Sequence, residues 1–264
     1  MSSSEQAFAL IASQALKLDA KILKEESSSS GLFEMQVRLA DGKRKNYQFH
    51  IKIENGKPNV KEVIPLHLPS SCPERHINFD GTFCLGWEGD TDLQITSKDS
   101  AVMWWSYLHK FLSLQARAEK KGEWPGKEWA HGAAAIFQQR AENAAAALGK
   151  RYVDALDNKI IRVVEKQKSG IKGNLLKLYL NDQHLCSVWK RNNFLTNKRK
   201  PCICSLPSKS KPKKIKHCFD HASQIIRLII SINEQEAYLK DFWSGFKGKK
   251  CCGSMKNCPL KITD

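Results

Sequence analysis

The stretch HINFDGTFCLGW, residues 76–87, contains side chains suited to covalent chemistry. Cys84 is a nucleophile by type, because a sulfur can attack an activated carbonyl carbon and also depart as a leaving group. Asn78, six residues before it, can orient the backbone or donate to the oxyanion of a tetrahedral intermediate, and His76 is better suited to bracing the loop. The alternative interpretation of Cys84 is a packed core thiol, since free cysteine is among the most buried residue types.

Two carboxylates follow the same cysteine. Asp90 and Asp92 lie six and eight residues beyond Cys84. An acidic side chain there can orient an incoming lysine amine, an interpretation that rests on position alone.

A second group of reactive side chains lies in KRKPCICSLPSKSKPKKIKHC, residues 198–218. Cys202, Cys204, His217 and Cys218 are soft or borderline ligands, a set that suits tetrahedral zinc. We therefore predict a structural zinc ion on these four residues, which supplies folding energy to a segment with little core of its own. A catalytic zinc is not expected, because the segment offers few acids or bases.

Three further cysteines lie in KKCCGSMKNC, residues 249–258. Cys251, Cys252 and Cys258 are one ligand short of a closed site unless another cysteine, such as Cys186, joins them. Cys72 is interpreted as structural. Thiols are not expected to form structural disulfides in a reducing compartment, so the nine cysteines favour at least one metal ion.

Charge and cysteine content both change near residue 150. Residues 1–150 contain 19 Lys+Arg, 18 Asp+Glu and two cysteines, whereas residues 151–264 contain 24, 9 and seven. This predicts two domains, 1–150 and 151–264, the second basic and cysteine-rich. The run from Lys209 to Lys216 is either a solvated loop or a contact for nucleic acid or an acidic protein face.

The chain has no recognisable secretory or membrane segment in its sequence pattern. Its N-terminus lacks a basic region followed by an apolar one, and no window approaches about 18 uninterrupted apolar residues. We predict a cytoplasmic protein without a membrane partner.

The hydrophobic pattern predicts an α+β fold. A helix is expected over residues 4–24, then strands near 33–39, 47–53 and 60–66 with room for a short fourth. Helices are expected from the cap candidates Ser97 and Asp99 and over 127–149. The second domain should contain strands at 160–166 and 174–180 and a helix over 222–239.

This order, with His76-Ile77-Asn78 ahead of Gly81-Thr82-Phe83-Cys84-Leu85, resembles the ubiquitin-conjugating enzyme (UBC) family over residues 1–148. That family has His-Pro-Asn upstream of its catalytic cysteine, so Ile77 and the six-residue spacing from Asn78 are departures. Trp124-Pro125-Gly126 and His131-Gly132 are similar to bacterial members found in antiphage and ubiquitin-like operons.

The resemblance implies an enzyme that carries a protein C-terminus on Cys84 as a thioester and delivers it to an amine. It implies a ubiquitin-like modifier, or the C-terminus of an immune nucleotidyltransferase, as the partner, and a role in defence against phage. No glycine-rich nucleotide-binding loop is present, so a separate activating enzyme is expected. The Pro-Cys-x-Cys at residues 201–204 and the His217-Cys218 pair are similar to the C-terminal zinc motif of the SecA translocase.

Two other functions fit the same residues. One is an inactive UBC-fold scaffold that binds a modifier without chemistry, which the altered His-x-Asn spacing favours. The other is a nucleic-acid-binding module that acts through the basic zinc tail and tolerates many sequences, because no base-reading motif is present.

Overall fold

The computed structural model describes residues 2–39, 41–87, 92–126, 129–168, 173–196, 198–205, 212–218 and 220–261. The chain forms two compact units, one of residues 1–128 with 246–264 and one of residues 129–245. Residue 150, near which the composition changes, lies inside the second unit. Within the described residues, no helix combines the length and apolar character needed to cross a membrane.

Within the described residues, the first unit contains two α-helices and one four-stranded antiparallel sheet whose strands pair in sequence order. A capping box begins the first helix, with Glu5 N–H donating to Ser2 Oγ and Ser2 N–H to the Glu5 carboxylate. The elements are α1 Ser3–Gln14, β1 Ala20–Ser27, β2 Ser30–Arg38, β3 Arg44–Glu54, β4 Lys57–Glu62 and α2 Lys98–Lys121.

The predicted first helix is too long. The α-helix ends at Gln14, a 3-10 turn follows, and Asp19 adopts a left-handed conformation at φ 53° before β1 begins. Ile22, assigned to the helix by its spacing, pairs instead with Phe33 of β2. Backbone pairing along β2 outweighs local helical periodicity here, because it satisfies the hydrogen-bonding groups of a whole strand.

The core of the first unit lies between the sheet and α2. Alternate residues of β2 and β3 are buried, among them Phe33 and Phe49, and both rings lie near Trp105 of α2. The buried Trp105 Nε1 donates to the Ile11 carbonyl of α1 at 2.9 Å. The predicted α+β class is confirmed, and the meander has four strands.

In the described part of the second unit there are three α-helices and a second four-stranded antiparallel sheet, whose strands also pair in sequence order. The two predicted strands and the long helix are present, while the last two strands were not predicted. Asn181 and Asp182, both at positive φ, form the tight turn between β6 and β7, a signal typical of hairpins. The elements are α3 Ala134–Leu148, α4 Lys150–Asp157, β5 Ile161–Lys166, β6 Leu175–Leu180, β7 Gln183–Trp189, β8 Phe194–Leu195 and α5 His221–Ser244.

Candidate functional site

Cys84 lies on a short irregular hairpin between β4 and α2. Its N–H donates to the His76 carbonyl at 2.8 Å, and Ile77 pairs with Phe83 across the hairpin. Ile77 and Phe83 are buried, whereas Cys84 is exposed. The alternation along the hairpin therefore directs the apolar pair into the core and leaves the thiol residue at the surface, which a packed core thiol would not do.

Asn78 stabilises the turn that closes this hairpin. Its N–H donates to the Thr82 carbonyl at 2.8 Å, and its side-chain Nδ2 donates to Thr82 Oγ1 at 3.0 Å. Thr82 Oγ1 in turn donates to Asp80 Oδ1 at 2.6 Å. Asn78 and Thr82 are two positions along the hairpin from His76 and Cys84, about 7 Å by the rise of extended chain. In this conformation the amide braces the turn.

His76 connects the hairpin to the segment after α2. It adopts a left-handed conformation, φ 55°, and its ring centroid lies 4.8 Å from that of Trp124. Trp124 also packs 6.0 Å from Phe111 of α2. Trp124 of the Trp-Pro-Gly sequence thus packs against His76, whose carbonyl accepts the hydrogen bond from the Cys84 N–H. These contacts agree with a bracing role for His76.

Buried hydrogen bonds between Arg75 and Gln115 hold the same loop to α2, and the sequence did not predict them. Arg75 is 2% exposed, and its Nε donates to Gln115 Oε1 at 2.8 Å while Nη2 donates to the Gln115 carbonyl. Gln115 Nε2 donates back to the Arg75 carbonyl at 2.5 Å. The signal was a glutamine on the apolar face of α2, one turn after Phe111 and Leu112.

The surroundings of Cys84 keep its thiol largely protonated. Although the residue is exposed, neighbouring protein atoms partly exclude water from its sulfur, which raises the pKa of the Cys84 thiol above its ordinary value, and the Gly86 backbone offsets part of the rise. Cys84 Sγ donates to the Gly86 carbonyl oxygen at 3.8 Å, a contact that favours the protonated thiol. A raised pKa makes the thiol a weak nucleophile toward unactivated carbonyls, so reaction requires an acyl group already activated.

The reactivity of Cys84 is expected to rise with pH over a range displaced above that of a free thiol. The thiolate fraction of a group with a raised pKa is small near neutrality and grows about tenfold per pH unit below that pKa. Alkylation by iodoacetamide, followed at the Cys84 peptide by mass spectrometry, measures this. The same peptide alkylated in the urea-unfolded protein is the control, and a midpoint at or below that of the control would contradict the expectation.

Asp90, Asp92 and the run from Lys209 to Lys216 are only partly included in the described residues. Asp90 lies outside the described residues, as do residues 209–211 at the beginning of the lysine run. Asp92 Oδ1 accepts a hydrogen bond from the Gln94 N–H at 2.9 Å. Its observed contact is therefore a local turn.

A group of potential metal ligands lies in the second unit and consists of Cys202, Cys204, Cys218 and His221. Their ligand atoms all lie within 4.8 Å of one another. His221 Nδ1 is 3.0 Å from Cys218 Sγ and 3.5 Å from Cys202 Sγ. The structure brings together three predicted ligands and replaces His217, which is exposed, with His221. The spacing Cys218-x-x-His221 was the missed signal.

Helices position these ligands. His221 is the first residue of α5, which fixes its ring beside Cys218 three residues earlier. The Cys-x-Cys segment is held on its other side, where Tyr152 of α4 donates its hydroxyl to the Ile203 carbonyl at 2.5 Å. His217 instead belongs to the 3-10 turn before Cys218 and points to solvent.

The distances between these ligand atoms, from 3.0 Å to at most 4.8 Å, bracket those that a tetrahedral metal ion requires. Zn–S bonds of about 2.3 Å and Zn–N bonds of about 2.0 Å place the ligand atoms roughly 3.5–3.8 Å apart. The three cysteines are buried and all four ligand positions come from protein. Such a closed set is typical of a structural site, because a catalytic metal needs an open position.

The His-Gly motif serves packing in the second unit. The His131 ring stacks on Phe242 of α5 with centroids 4.7 Å apart, and Trp243 lies edge-on at 5.4 Å. Burial lowers the pKa of the His131 imidazole, so the neutral ring is favoured. Gly132 follows at φ 56°, a conformation that favours glycine.

Two family models match the chain and together span most of it. A model described as prokaryotic E2 domain matches residues 20–126, and one described as cysteine-rich domain, C-terminal to E2 domain, matches residues 130–260. No curated protein and no solved structure matches at a significant level. The first match contains the Cys84 hairpin, and the second contains the Cys3His group. The chain therefore belongs to the bacterial E2-like, UBC-fold proteins that carry a cysteine-rich C-terminal extension.

Proposed function

We propose that the protein conjugates a ubiquitin-like modifier through a thioester on Cys84. The Cys84 sulfur attacks the activated carbonyl carbon of the modifier C-terminus and displaces the activating group, a thiol or a nucleotide phosphate. A lysine amine, or another amine, then attacks the thioester carbonyl. The amide bond forms, the C–S bond breaks, and the Cys84 thiol is regenerated with a proton from the amine.

One observation carries this proposal, the exposure of Cys84 on a hairpin whose alternate residues are buried. A modifier C-terminus is an extended chain that must reach the sulfur from solvent. Because Ile77 and Phe83 anchor the hairpin in the core, the thiol is presented on a rigid support. The inactive-scaffold alternative lacks an account of why a nucleophile is held there.

The partners follow from the same chemistry. A raised pKa at Cys84 and the lack of a glycine-rich phosphate loop in the sequence both support a separate activating enzyme. The modifier is a ubiquitin-like protein or the C-terminus of an immune nucleotidyltransferase. By the resemblance of the sequence we also assign the reaction to cytoplasmic defence against phage, which predicts that Cys84→Ala abolishes the protection given by the operon in a plating assay.

The Cys3His group is proposed to hold a structural zinc ion. Zinc would staple the loop that contains Cys202 and Cys204 to the start of α5. The two ligand pairs are separated by a lysine-rich stretch, so the ion would also fix the ends of a long basic loop. The basic character of that loop supports an acidic protein or nucleic acid as an additional partner.

Substitutions at Cys84 test the conjugation directly. With its operon neighbours coexpressed, the wild type is expected to show a heavier band on a non-reducing gel that thiol removes. Cys84→Ser should give a thiol-resistant ester, and Cys84→Ala should give no adduct. The mass of the adduct identifies the modifier.

Cys186→Ala is the matched control for that experiment. Cys186 is a buried cysteine of the second unit that is absent from the Cys3His group. Its alanine variant should retain the thiol-sensitive band. If all Cys84 variants behave like the wild type beside an active activating enzyme, the proposal is wrong.

Asn78→Ala is expected to slow transfer from the thioester to the amine more than it slows loading of Cys84. If the Asn78 amide leaves Thr82 and donates to the oxyanion, its loss should cost about 10²–10³ in the transfer rate. Single-turnover discharge of the loaded protein measures this. Thr82→Val, which removes the hydroxyl that accepts from the amide and donates to Asp80 but keeps Asn78 itself, is the control. Equal slowing by both variants would assign Asn78 to the turn alone.

A further inference from the structure

Four cysteines outside the Cys3His group come together in the first unit. Cys72 and Cys258 are buried, at 1% and 5% exposure, and Cys251 and Cys252 are half-buried against them. Cys72 lies just before the Cys84 hairpin, and the other three belong to the segment 246–261, which packs within the first unit. Cys186, the fourth ligand considered from the sequence, lies in the second unit.

The four thiols are linked to one another by contacts. Cys252 Sγ lies 2.7 Å from Cys72 Sγ. Cys251 and Cys252 pack against the buried Cys72 and Cys258, and the Cys258 thiol interacts electrostatically with both. No member of the set is isolated from the other three. The chain thus supplies the ligand that the KKCCGSMKNC sequence alone lacks.

The backbone also contacts these thiols. The Gly253 N–H donates to Cys251 Sγ at 3.3 Å, and the Arg75 N–H donates to the Cys72 carbonyl at 2.9 Å, which fixes the loop that contains Cys72. Amide donors to the sulfurs orient metal-bound cysteines and stabilise their negative charge.

A buried cation stands beside the same cluster. The Arg75 guanidinium, fixed by Gln115, interacts electrostatically with Cys72 and Cys252. A zinc ion with four thiolates carries a net charge of about −2, and a neighbouring cation reduces the cost of burying that charge. Four neutral thiols would gain nothing comparable from Arg75.

We propose that Cys72, Cys251, Cys252 and Cys258 form a second, tetrathiolate zinc site that fastens the C-terminal segment to the loop before Cys84. The site is closed and structural. Among the described residues only the Cys3His group already has its ligand atoms within 4.8 Å of one another. Binding at the second site therefore separates Cys72 and Cys252 and draws Cys251 and Cys258 inward.

Other contacts show that the segment is seated where the site requires. Lys256 N–H donates to the carbonyl of Gly122, at the end of α2, at 2.8 Å. Phe246 lies 4.3 Å from Phe79 in the hairpin turn, measured between ring centroids. Gly253 turns the chain at φ 73° between the adjacent cysteines and Ser254. The four ligands are thus held by contacts that do not involve sulfur.

Counting bound zinc in the full-length protein tests the site. Protein purified under reducing conditions and examined by native mass spectrometry should contain two zinc ions per chain. Cys72→Ser and Cys258→Ser should each retain one ion, and His221→Ala should also retain one, from the other group. Cys84→Ser, an exposed cysteine of the same unit, is the control and should retain two.

Cobalt substitution gives a second measurement, which does not depend on whether the Cys72 and Cys258 variants fold. The wild type loaded with cobalt should show stronger sulfur-to-metal charge-transfer absorption per chain than His221→Ala, whose remaining ion would have four sulfur ligands. One ion per chain in the wild type would overturn the site, as would unchanged stoichiometry in both cysteine variants. A mass lower by two hydrogens without the second ion would assign Cys72 and Cys252 to a disulfide instead. The count is independent of conjugation.

Discussion

Replacing His221 with alanine is expected to remove the metal from the second unit and to unfold that unit, whereas replacing His217 should do neither. Structural zinc sites contribute about 10–16 kcal/mol of apparent binding free energy, and a three-ligand remnant loses much of it. His217 is exposed and lies outside the ligand group, so its replacement should change stability by about 0.5 kcal/mol or less.

The two histidines are a matched pair because they lie four residues apart, and only His221 belongs to the Cys3His group. Circular dichroism during heating and zinc content per chain measure the effects. A chelator should reproduce the His221→Ala phenotype in the wild type. Loss of metal from His217→Ala with retention in His221→Ala would restore the ligand set expected from the sequence.

Gln115→Leu is expected to destabilise the first unit by about 3 kcal/mol or more. Leucine leaves the buried Arg75 guanidinium without its side-chain acceptor and the Arg75 carbonyl without its donor. An uncompensated buried charge costs about 3–5 kcal/mol, and each unsatisfied buried polar group adds to this. Because Arg75 adjoins His76, the Cys84 hairpin should loosen as well.

Urea unfolding of the full-length protein measures this loss, and a double variant supplies the control. Arg75→Met combined with Gln115→Leu removes the charge together with its partner, so it should be less destabilised than the sum of the single variants. Additive losses would show that the two side chains act independently. The single Gln115→Leu variant should also lower the protection of the hairpin amides against hydrogen exchange.

The sequence predicted correctly those elements whose conformation depends on interactions between residues close together in the chain. The cap at Ser97 begins α2 as expected, because a side-chain oxygen can satisfy a helix N–H without help from elsewhere. The first helix was overextended because Ala20 and Ile22 fit both helical and strand periods. Only the pairing of β1 with β2 distinguishes the two, and pairing is a property of distant residues.

The sites divide in the same way. The exposed position of Cys84 depends on pairing within its own short hairpin, while the Arg75–Gln115 contact joins residues 40 positions apart. Three of the four clustered ligands were identifiable from type and spacing, but choosing His221 over His217 required knowing where α5 begins. Cys72 was interpreted as structural, and no local pattern connects it with Cys252, 180 positions away.

That separation has a consequence for the order in which the protein is made. The segment 246–261 completes the first unit, yet it follows the entire second unit in the chain. During synthesis the whole second unit is made before segment 246–261. The loop before Cys84 therefore gains its contacts with that segment only after the second unit has been synthesised. A nascent chain released before that point would therefore carry Cys84 on a hairpin that lacks the contact of Phe246 with Phe79, beside an α2 end that lacks the hydrogen bond from Lys256.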